Sequence, residues 1–130
     1  MKNILFIDDD NRGAITNLIN ELEANNYKVF FTDDIKNLIE YISDKHYDAL
    51  ILDIMMPVPE SWSREMQKAS NSGLRTGAVL FSLIRKSFSN LPVLIYSAYS
   101  HDIKNDQYTY SIRKPELPGV IIQKLEELLA

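Results

Sequence analysis

The chain contains no cysteine, so it can form neither disulfide bonds nor thiolate metal sites. Its 14 lysines and arginines are outnumbered by 18 aspartates and glutamates, and a net charge of −4 is poorly suited to binding nucleic acids or anionic membranes. No apolar run approaches the length of a membrane span, and the apolar residues 4–7 are too few for the core of a signal peptide. We therefore expect a cytoplasmic protein that contacts neither nucleic acid directly nor a membrane.

A length of 130 residues and an apolar fraction of 45% are typical of one domain with one core. Short apolar or β-branched runs, bounded by charged or turn residues, predict five strands. They cover residues 4–7, 27–32, 49–52, 93–96 and 110–112. We expect residues 1–130 to form a single domain.

Apolar residues at helical spacing lie between these strands and after the last one. The patterns are Ile15, Leu18, Ile19, Leu22; Ile35, Leu38, Ile39, Ile42; Leu80, Leu83, Ile84; and Ile121, Leu125, Leu128, Leu129. Alternation of strand and helix requires a parallel sheet with right-handed crossovers and helices on both faces. The predicted fold is a doubly wound α/β domain.

Two stretches interrupt this alternation. Residues 57–73 form a long polar connection that contains the only tryptophan, Trp62, which we expect to be exposed. Residues 100–109 are short, polar and poor in the apolar residues that a crossover helix needs. Both stretches break the alternation, and the pattern of residues 57–73 leaves open whether they contain a helix.

Carboxylates and a hydroxyl follow three predicted strands, as Asp8, Asp9, Asp53 and Ser97. In parallel sheets the carboxyl ends of the strands form the ligand crevice, and a strand order of 2-1-3-4-5 makes strands 1 and 3 neighbours. Carboxylates about 4 Å apart repel by about 4 kcal/mol at an effective dielectric of about 20, so they must take up protons or a cation. Oxygen ligands in a partly open site favour Mg²⁺.

A phosphoryl group is a natural further ligand of such an ion. Asp53 would attack phosphorus as a carboxylate nucleophile and form an acyl phosphate, with a nearby cation stabilising the transferring oxygens. Lys114 is the candidate cation because it directly follows the fifth predicted strand, and Pro115 disfavours a helical conformation at Lys114. The pattern therefore predicts a phosphoryl-accepting site.

Four pieces at the ends of predicted strands together resemble the response-regulator receiver domains of two-component signalling. The pieces are Asp8-Asp9-Asp10 after Ile-Leu-Phe-Ile, Asp53-Ile-Met-Met-Pro57, Ser97-Ala98 and Lys114-Pro115. Each piece alone is common, but the four in this order are specific, and the match covers essentially the whole chain. The resemblance implies the flavodoxin-like sheet order 2-1-3-4-5.

The resemblance also implies roles for the site residues and their partners. Asp53 would accept a phosphoryl group from a sensor histidine kinase or a phosphotransfer protein. Asp8, Asp9, Asp53 and the backbone carbonyl of Met55 would hold Mg²⁺ or Mn²⁺. The phosphorylated domain would then signal to a separate output protein. In this reading the chain is a signalling domain rather than an enzyme, although its own residues assist phosphotransfer and dephosphorylation.

By the same resemblance, Lys114 would contact the phosphoryl group and Ser97 would bind one of its oxygens. The family's switch aromatic lies three residues before the lysine, where this chain has Ser111, and Tyr110 comes one position earlier. Since the strand period is two, we expect Tyr110 to face the other side of the sheet unless a bulge corrects it. The Ser97 to Lys114 spacing is shorter than usual, and residues 58–72 are predicted to be an inserted loop.

Two other functions fit parts of the sequence. In a haloacid-dehalogenase-like phosphohydrolase, Asp8 of the Asp-x-Asp pattern would be the nucleophile, although Arg12 and the missing distal acidic pair argue against it. A protein-binding module that works without phosphorylation would keep the fold and ignore Asp53. The aspartate that a phosphodonor labels distinguishes these alternatives.

Overall fold

All five predicted strands are present in the computed structural model, which describes residues 1–9, 13–98, 103 and 106–130. Asp10, Arg12 and half of the polar stretch 100–109 lie outside these described residues. The strands are β1 (Lys2–Ile7), β2 (Tyr27–Thr32), β3 (Ala49–Leu52), β4 (Val93–Ser97) and β5 (Thr109–Arg113). They pair in the order β2-β1-β3-β4-β5, and every pair is parallel. The predicted doubly wound sheet is confirmed.

Five helices are present in the described residues: α1 (Gly13–Ala24), α2 (Leu38–Ser43), α3 (Arg64–Ala69), α4 (Thr76–Ser87) and α5 (Pro118–Leu129). Four of them match the predicted helical patterns, although α2 begins at Leu38, so that Ile35 precedes it. The longest have 12 residues, and no described helix is long and apolar enough to cross a membrane.

Side chains alternate between the two faces of the sheet, as the strand period of two requires. On one face Leu5 and Ile7 join a core cluster that includes residues of α2 and α4. On the other face Ile4 and Phe6 join a second cluster with residues of α1 and α5. All four of these β1 side chains are completely buried. The sheet therefore has a core on each side, and its strand ends emerge between the helices.

Residues 57–73, which we call the Trp62 segment, contain a short helix. The helix α3 lies within them and is capped by Ser63, whose side chain accepts a hydrogen bond from the Met66 amide. The expectation that Trp62 is exposed was wrong: only 9% of it is accessible, and it belongs to the same core cluster as Leu38 and Leu80. Because the segment folds back over this face of the sheet, its one large aromatic residue is buried.

The connection between β4 and β5 contains no helix among the residues described there, 98, 103 and 106–108. Arg85 of α4 ties this connection to the sheet instead. Its guanidinium donates to the Asp106 carboxylate at 2.7 Å, to the Tyr108 carbonyl at 3.2 Å and to the Thr109 hydroxyl at 2.8 Å. One planar cation with several donors thus fixes the start of β5.

Gly77 allows the first turn of α4 to approach the end of β3. A Cβ atom at this position would overlap the Asp53 carbonyl oxygen and lie 2.6 Å from the Ile54 Cα atom. Both obstacles are backbone atoms, which cannot rotate away as a side chain would. The close approach of α4 to Asp53 therefore requires glycine at position 77.

We expect Gly77→Ala to lower the free energy of unfolding by about 1–3 kcal/mol, because the new methyl group overpacks a site bounded by backbone. The matched control is Gly119→Ala in α5, where a Cβ would meet nothing within 4 Å. This control should change stability by no more than about 1 kcal/mol, in the stabilising direction. Urea unfolding measures both, and equal midpoints for Gly77→Ala and the wild type would contradict the proposed packing.

Candidate functional site

The predicted site residues lie at the carboxyl ends of neighbouring strands. Asp53 follows β3, and its amide donates to the carbonyl of Ile7 on β1 at 2.9 Å. Lys114 follows β5, and its amide donates to the carbonyl of Ser97 on β4 at 2.8 Å. These bonds continue the ladders of the sheet by one residue, so the functional side chains start from fixed backbone positions.

Three carboxylates meet at this edge. Asp8, Asp9 and Asp53 each place one oxygen within 4.8 Å of the others. Asp8 is completely buried, Asp53 is 5% accessible and Asp9 is exposed. The cluster is thus closed on the protein side and open to solvent at Asp9. A set of oxygen donors with one open side fits a hard divalent cation that retains water ligands.

Lys114 supplies a positive charge to the same cluster. Its Nζ atom lies 2.6 Å from Asp8 Oδ2 and 3.6 Å from Asp53 Oδ2. Burial alone would lower the pKa of Lys114, but the hydrogen bond to Asp8 and the charges of Asp53 and Asp8 outweigh it, and the pKa is raised. Lys114 therefore remains an ammonium ion that bridges the two buried acids. The Lys114–Pro115 peptide bond is cis.

The surroundings of Asp53 disfavour its charged form. Burial, followed by repulsion from Asp8, raises its pKa from 3.8 to about 6. Lys114, the Ile54 amide and the Ser97 side chain act in the opposite direction without cancelling this shift. The exposed Asp9 shows the same tendency, since partial burial and the Asp8 charge raise its pKa. The site is therefore short of positive charge.

The two oxygens of Asp53 have different surroundings. Oδ1 accepts a hydrogen bond from the Ile54 amide at 2.8 Å, which orients the carboxylate. Oδ2 faces Lys114. Ser97, only 1% accessible, hydrogen-bonds to the same carboxylate through its side chain. An oriented carboxylate beside a cation and a hydroxyl is suited to receive an anionic group at one oxygen.

The backbone carbonyls of residues 54–56, in the loop after Asp53, differ in their hydrogen bonding. The Ile54 carbonyl accepts from the Gly77 amide at 2.8 Å, and the Met56 carbonyl accepts from the Thr76 hydroxyl. The Met55 carbonyl between them accepts no hydrogen bond from any described residue. It is the predicted fourth protein ligand of the cation, and this assignment stays a prediction.

Tyr110 lies on the face of the sheet opposite to Ser97. β4 and β5 pair in regular register, with Ile95 opposite Ser111, so no bulge moves Tyr110 to the other side. Its ring is 39% accessible and lies 4.8 Å from Lys124 Nζ of α5. Tyr110 lies one residue before the position that precedes Lys114 by three, and this one-residue offset places its side chain on the face opposite to Ser97.

Three neighbours of the site were missed by the sequence analysis. Thr76 and Gly77 bind the loop that carries Asp53, but their partners are about twenty residues away in sequence, so no local pattern identifies them. Tyr96, in β4, is the third of these neighbours. Its ring lies 5.4 Å from Lys114 Nζ, and its hydroxyl accepts from the Glu116 amide at 3.2 Å. Tyr96 thus supports the turn that positions Lys114.

Comparison with solved structures identifies the fold. Response regulator TrrA of Thermotoga maritima, solved with Mg²⁺ and BeF, is 24% identical and aligns over 99% of this chain and 100% of its own with a TM-score of 0.71. Chemotaxis protein CheY4 of Vibrio cholerae is 18% identical over 99% of both chains, also with a TM-score of 0.71. A two-component response regulator from Clostridium difficile is 18% identical over 99% and 96%, with a TM-score of 0.73.

No protein-family model and no curated protein matches the chain. The structural similarity nevertheless extends over nearly the whole sequence. The chain therefore has the fold of response-regulator receiver domains, as its motifs predicted.

We expect Asp53→Asn to stabilise the cation-free protein. Because the folded state raises the pKa of Asp53 to about 6 from 3.8, it holds the proton more tightly than the unfolded chain does, and wild-type stability falls as pH rises through this interval. At neutral pH the variant should gain about 1–3 kcal/mol, and the gain should disappear as pH falls toward the ordinary aspartate pKa of about 4. Urea unfolding across this pH range measures the difference.

The control for this experiment is Asp44→Asn, since Asp44 is an exposed residue after α2. Its effect on stability should be small at every pH. An Asp53→Asn variant that is less stable than the wild type at neutral pH would show that the Asp53 charge is fully compensated in the folded protein.

Proposed function

We propose that this chain is a phosphoacceptor receiver domain of a two-component system. Asp53 accepts a phosphoryl group from a sensor histidine kinase or a phosphotransfer protein, and the resulting change of conformation signals to a separate output protein in the cytoplasm. The observation that carries the proposal is the convergence of Asp8, Asp9 and Asp53 within 4.8 Å of one another, with the Lys114 ammonium 3.6 Å from Asp53.

Asp8, Asp9, Asp53 and the Met55 carbonyl would hold Mg²⁺ or Mn²⁺. The donor set fits, because it consists of oxygen atoms only and the site is short of positive charge. The bound ion would neutralise charge on the phosphoryl oxygens. The similarity to TrrA, which was solved with Mg²⁺ and BeF, supports this assignment.

The chain's own residues account for the transfer. One Asp53 oxygen forms a bond to phosphorus while the bond from phosphorus to the donor's imidazole nitrogen breaks, and the electron pair leaves with the imidazole. Lys114 and Ser97 contact the Asp53 carboxylate, which supports a role for each in binding an oxygen of the group that Asp53 would receive. Because these groups are in position beforehand, a small donor such as acetyl phosphate should also react.

The partners follow from the same chemistry. The donor must present a phosphohistidine to the open side of the cluster near Asp9. The net charge of −4 argues against direct nucleic-acid or membrane contact, so the output is transmitted to a protein. In this role the chain is a signalling domain rather than a turnover enzyme.

The two alternatives are less well supported. A phosphohydrolase with Asp8 as nucleophile requires a free carboxylate at Asp8, yet Asp8 is completely buried and its Oδ2 is bound by Lys114 at 2.6 Å. A phosphorylation-independent module has no need of two buried acids beside a lysine, an arrangement that costs stability in the absence of a ligand. Asp53 remains the preferred acceptor.

We expect Mg²⁺ and acetyl phosphate to add one phosphoryl group to the wild type, located at Asp53 by peptide mass spectrometry. Asp53→Asn should not be labelled, because its amide is not a nucleophile. The matched control Asp33→Asn, at an exposed aspartate after β2, should be labelled as the wild type is. Label on Asp8 would support the phosphohydrolase, and no label on any aspartate would leave only the binding module.

We expect Asp8→Asn to weaken Mg²⁺ binding by about tenfold or more, since it replaces a buried charged ligand by a neutral one. Calorimetric titration with Mg²⁺ gives the dissociation constant directly, which separates binding from any change in the stability of the cation-free protein. Asp44→Asn should bind as the wild type does. Equal affinities for Asp8→Asn and the wild type would remove Asp8 from the metal site.

A further inference from the structure

The loop that leaves Asp53 is fastened to the start of α4. Gly77 donates its amide to the Ile54 carbonyl at 2.8 Å, and Thr76 donates its hydroxyl to the Met56 carbonyl. The Met56 amide in turn donates to the Gly73 carbonyl at 3.2 Å. Because Gly77 also leaves no free space beside the Asp53 carbonyl, the loop cannot shift without moving residues 73–77.

Residues 73–77 are bonded in turn to the Trp62 segment. The Arg75 amide donates to the Ser70 carbonyl at 2.8 Å, and the completely buried Ser70 hydroxyl donates to the Met66 carbonyl at 2.8 Å. The Gln67 side chain then donates to the Trp62 carbonyl at 2.9 Å. Hydrogen bonds, together with the covalent links between neighbouring residues, thus connect the Asp53 loop to the backbone of Trp62.

The backbone is strained where the two parts join. Asn71, Ser72 and Gly73 have φ values of 48°, 55° and 96°, and two of these residues are not glycine. Left-handed conformations at such residues persist only where the surrounding structure imposes them, and they are common at switch regions. Here the strain lies between the Asp53 loop and α3.

Trp62, at the other end of this connection, lies next to the surface between α2 and α4. Its side chain lines a cavity of about 150 Å³ together with Asn37, Ile39 and Leu83, which belong to the start of α2 and to α4. A shift of the Trp62 segment would therefore alter the surface between α2 and α4. Tyr110 is on the opposite face of the sheet and has no part in this connection.

We propose that the Trp62 segment is the element that changes conformation when Asp53 is phosphorylated. Phosphorylation moves the Asp53 loop, the loop moves residues 73–77, and Trp62 repacks between α2 and α4. The inference rests on the proposed function, since it needs a phosphoryl group on Asp53. A segment that only covered the core would need the apolar contacts of Val58, Trp62 and Met66, but not the bonds to Ile54 and Met56.

Fluorescence tests this directly, because Trp62 is the only tryptophan. Mg²⁺ with acetyl phosphate or beryllium fluoride should change the Trp62 emission of the wild type and leave that of Asp53→Asn unchanged. Thr76→Val removes the bond to Met56 while keeping the side-chain shape. It should still gain the phosphoryl mass but lose most of the emission change. The control Tyr110→Ala, on the opposite face, should keep both.

Amide hydrogen exchange in the wild type provides a second measurement that does not depend on a variant folding. Phosphorylation should change the protection of the Arg75 and Gly77 amides, which are bonded to Ser70 and Ile54. A phosphoryl mass gain with unchanged Trp62 emission and unchanged exchange at these amides would overturn the inference and leave the proposed function intact. Absence of the mass gain would instead overturn the proposed function, and the inference with it.

Discussion

The structure depends above all on the repulsion between two buried carboxylates and its partial relief by one lysine. Asp8 and Asp53 follow neighbouring strands whose register pairs Ile7 with Leu52, so their side chains emerge side by side from the sheet. Lys114 lies against both and offsets much of the repulsion. The raised pKa of Asp53 shows that the offset is incomplete. Under the proposed function, a cation or a phosphoryl group at this site would change the contacts that Lys114 makes with Asp8 and Asp53.

Most of the site could be predicted because it follows from two general properties of parallel sheets. Alternating strand and helix patterns predict the fold, and the carboxyl ends of the strands gather whatever residues come next. Asp8, Asp53 and Ser97 needed only their positions after apolar runs to be placed together. The face of the sheet on which Tyr110 lies could also be predicted, since a strand period of two fixes the face of each residue once the register is regular.

The Trp62 segment could not be predicted in the same way. Its composition is polar, and a single tryptophan without helical or strand periodicity does not reveal whether it is exposed. Its burial depends on the whole segment folding over α2 and α4, which no local pattern encodes. Gly77 illustrates the same limit, because the need for glycine arises from the Asp53 carbonyl more than twenty residues earlier. Arg85 likewise binds partners beyond β4.

The position of a site at strand ends leaves open which face of the sheet responds to it. Side chains of adjacent residues point to opposite faces, so a displacement at Asp53 has two possible directions. The backbone after Asp53 is bonded to Gly77, Thr76 and Gly73, all of which belong to the α4 side. On the α5 side, Tyr96 supports only the turn at Glu116 beside Lys114. These bonds couple the backbone after Asp53 to residues on the α4 side of the sheet.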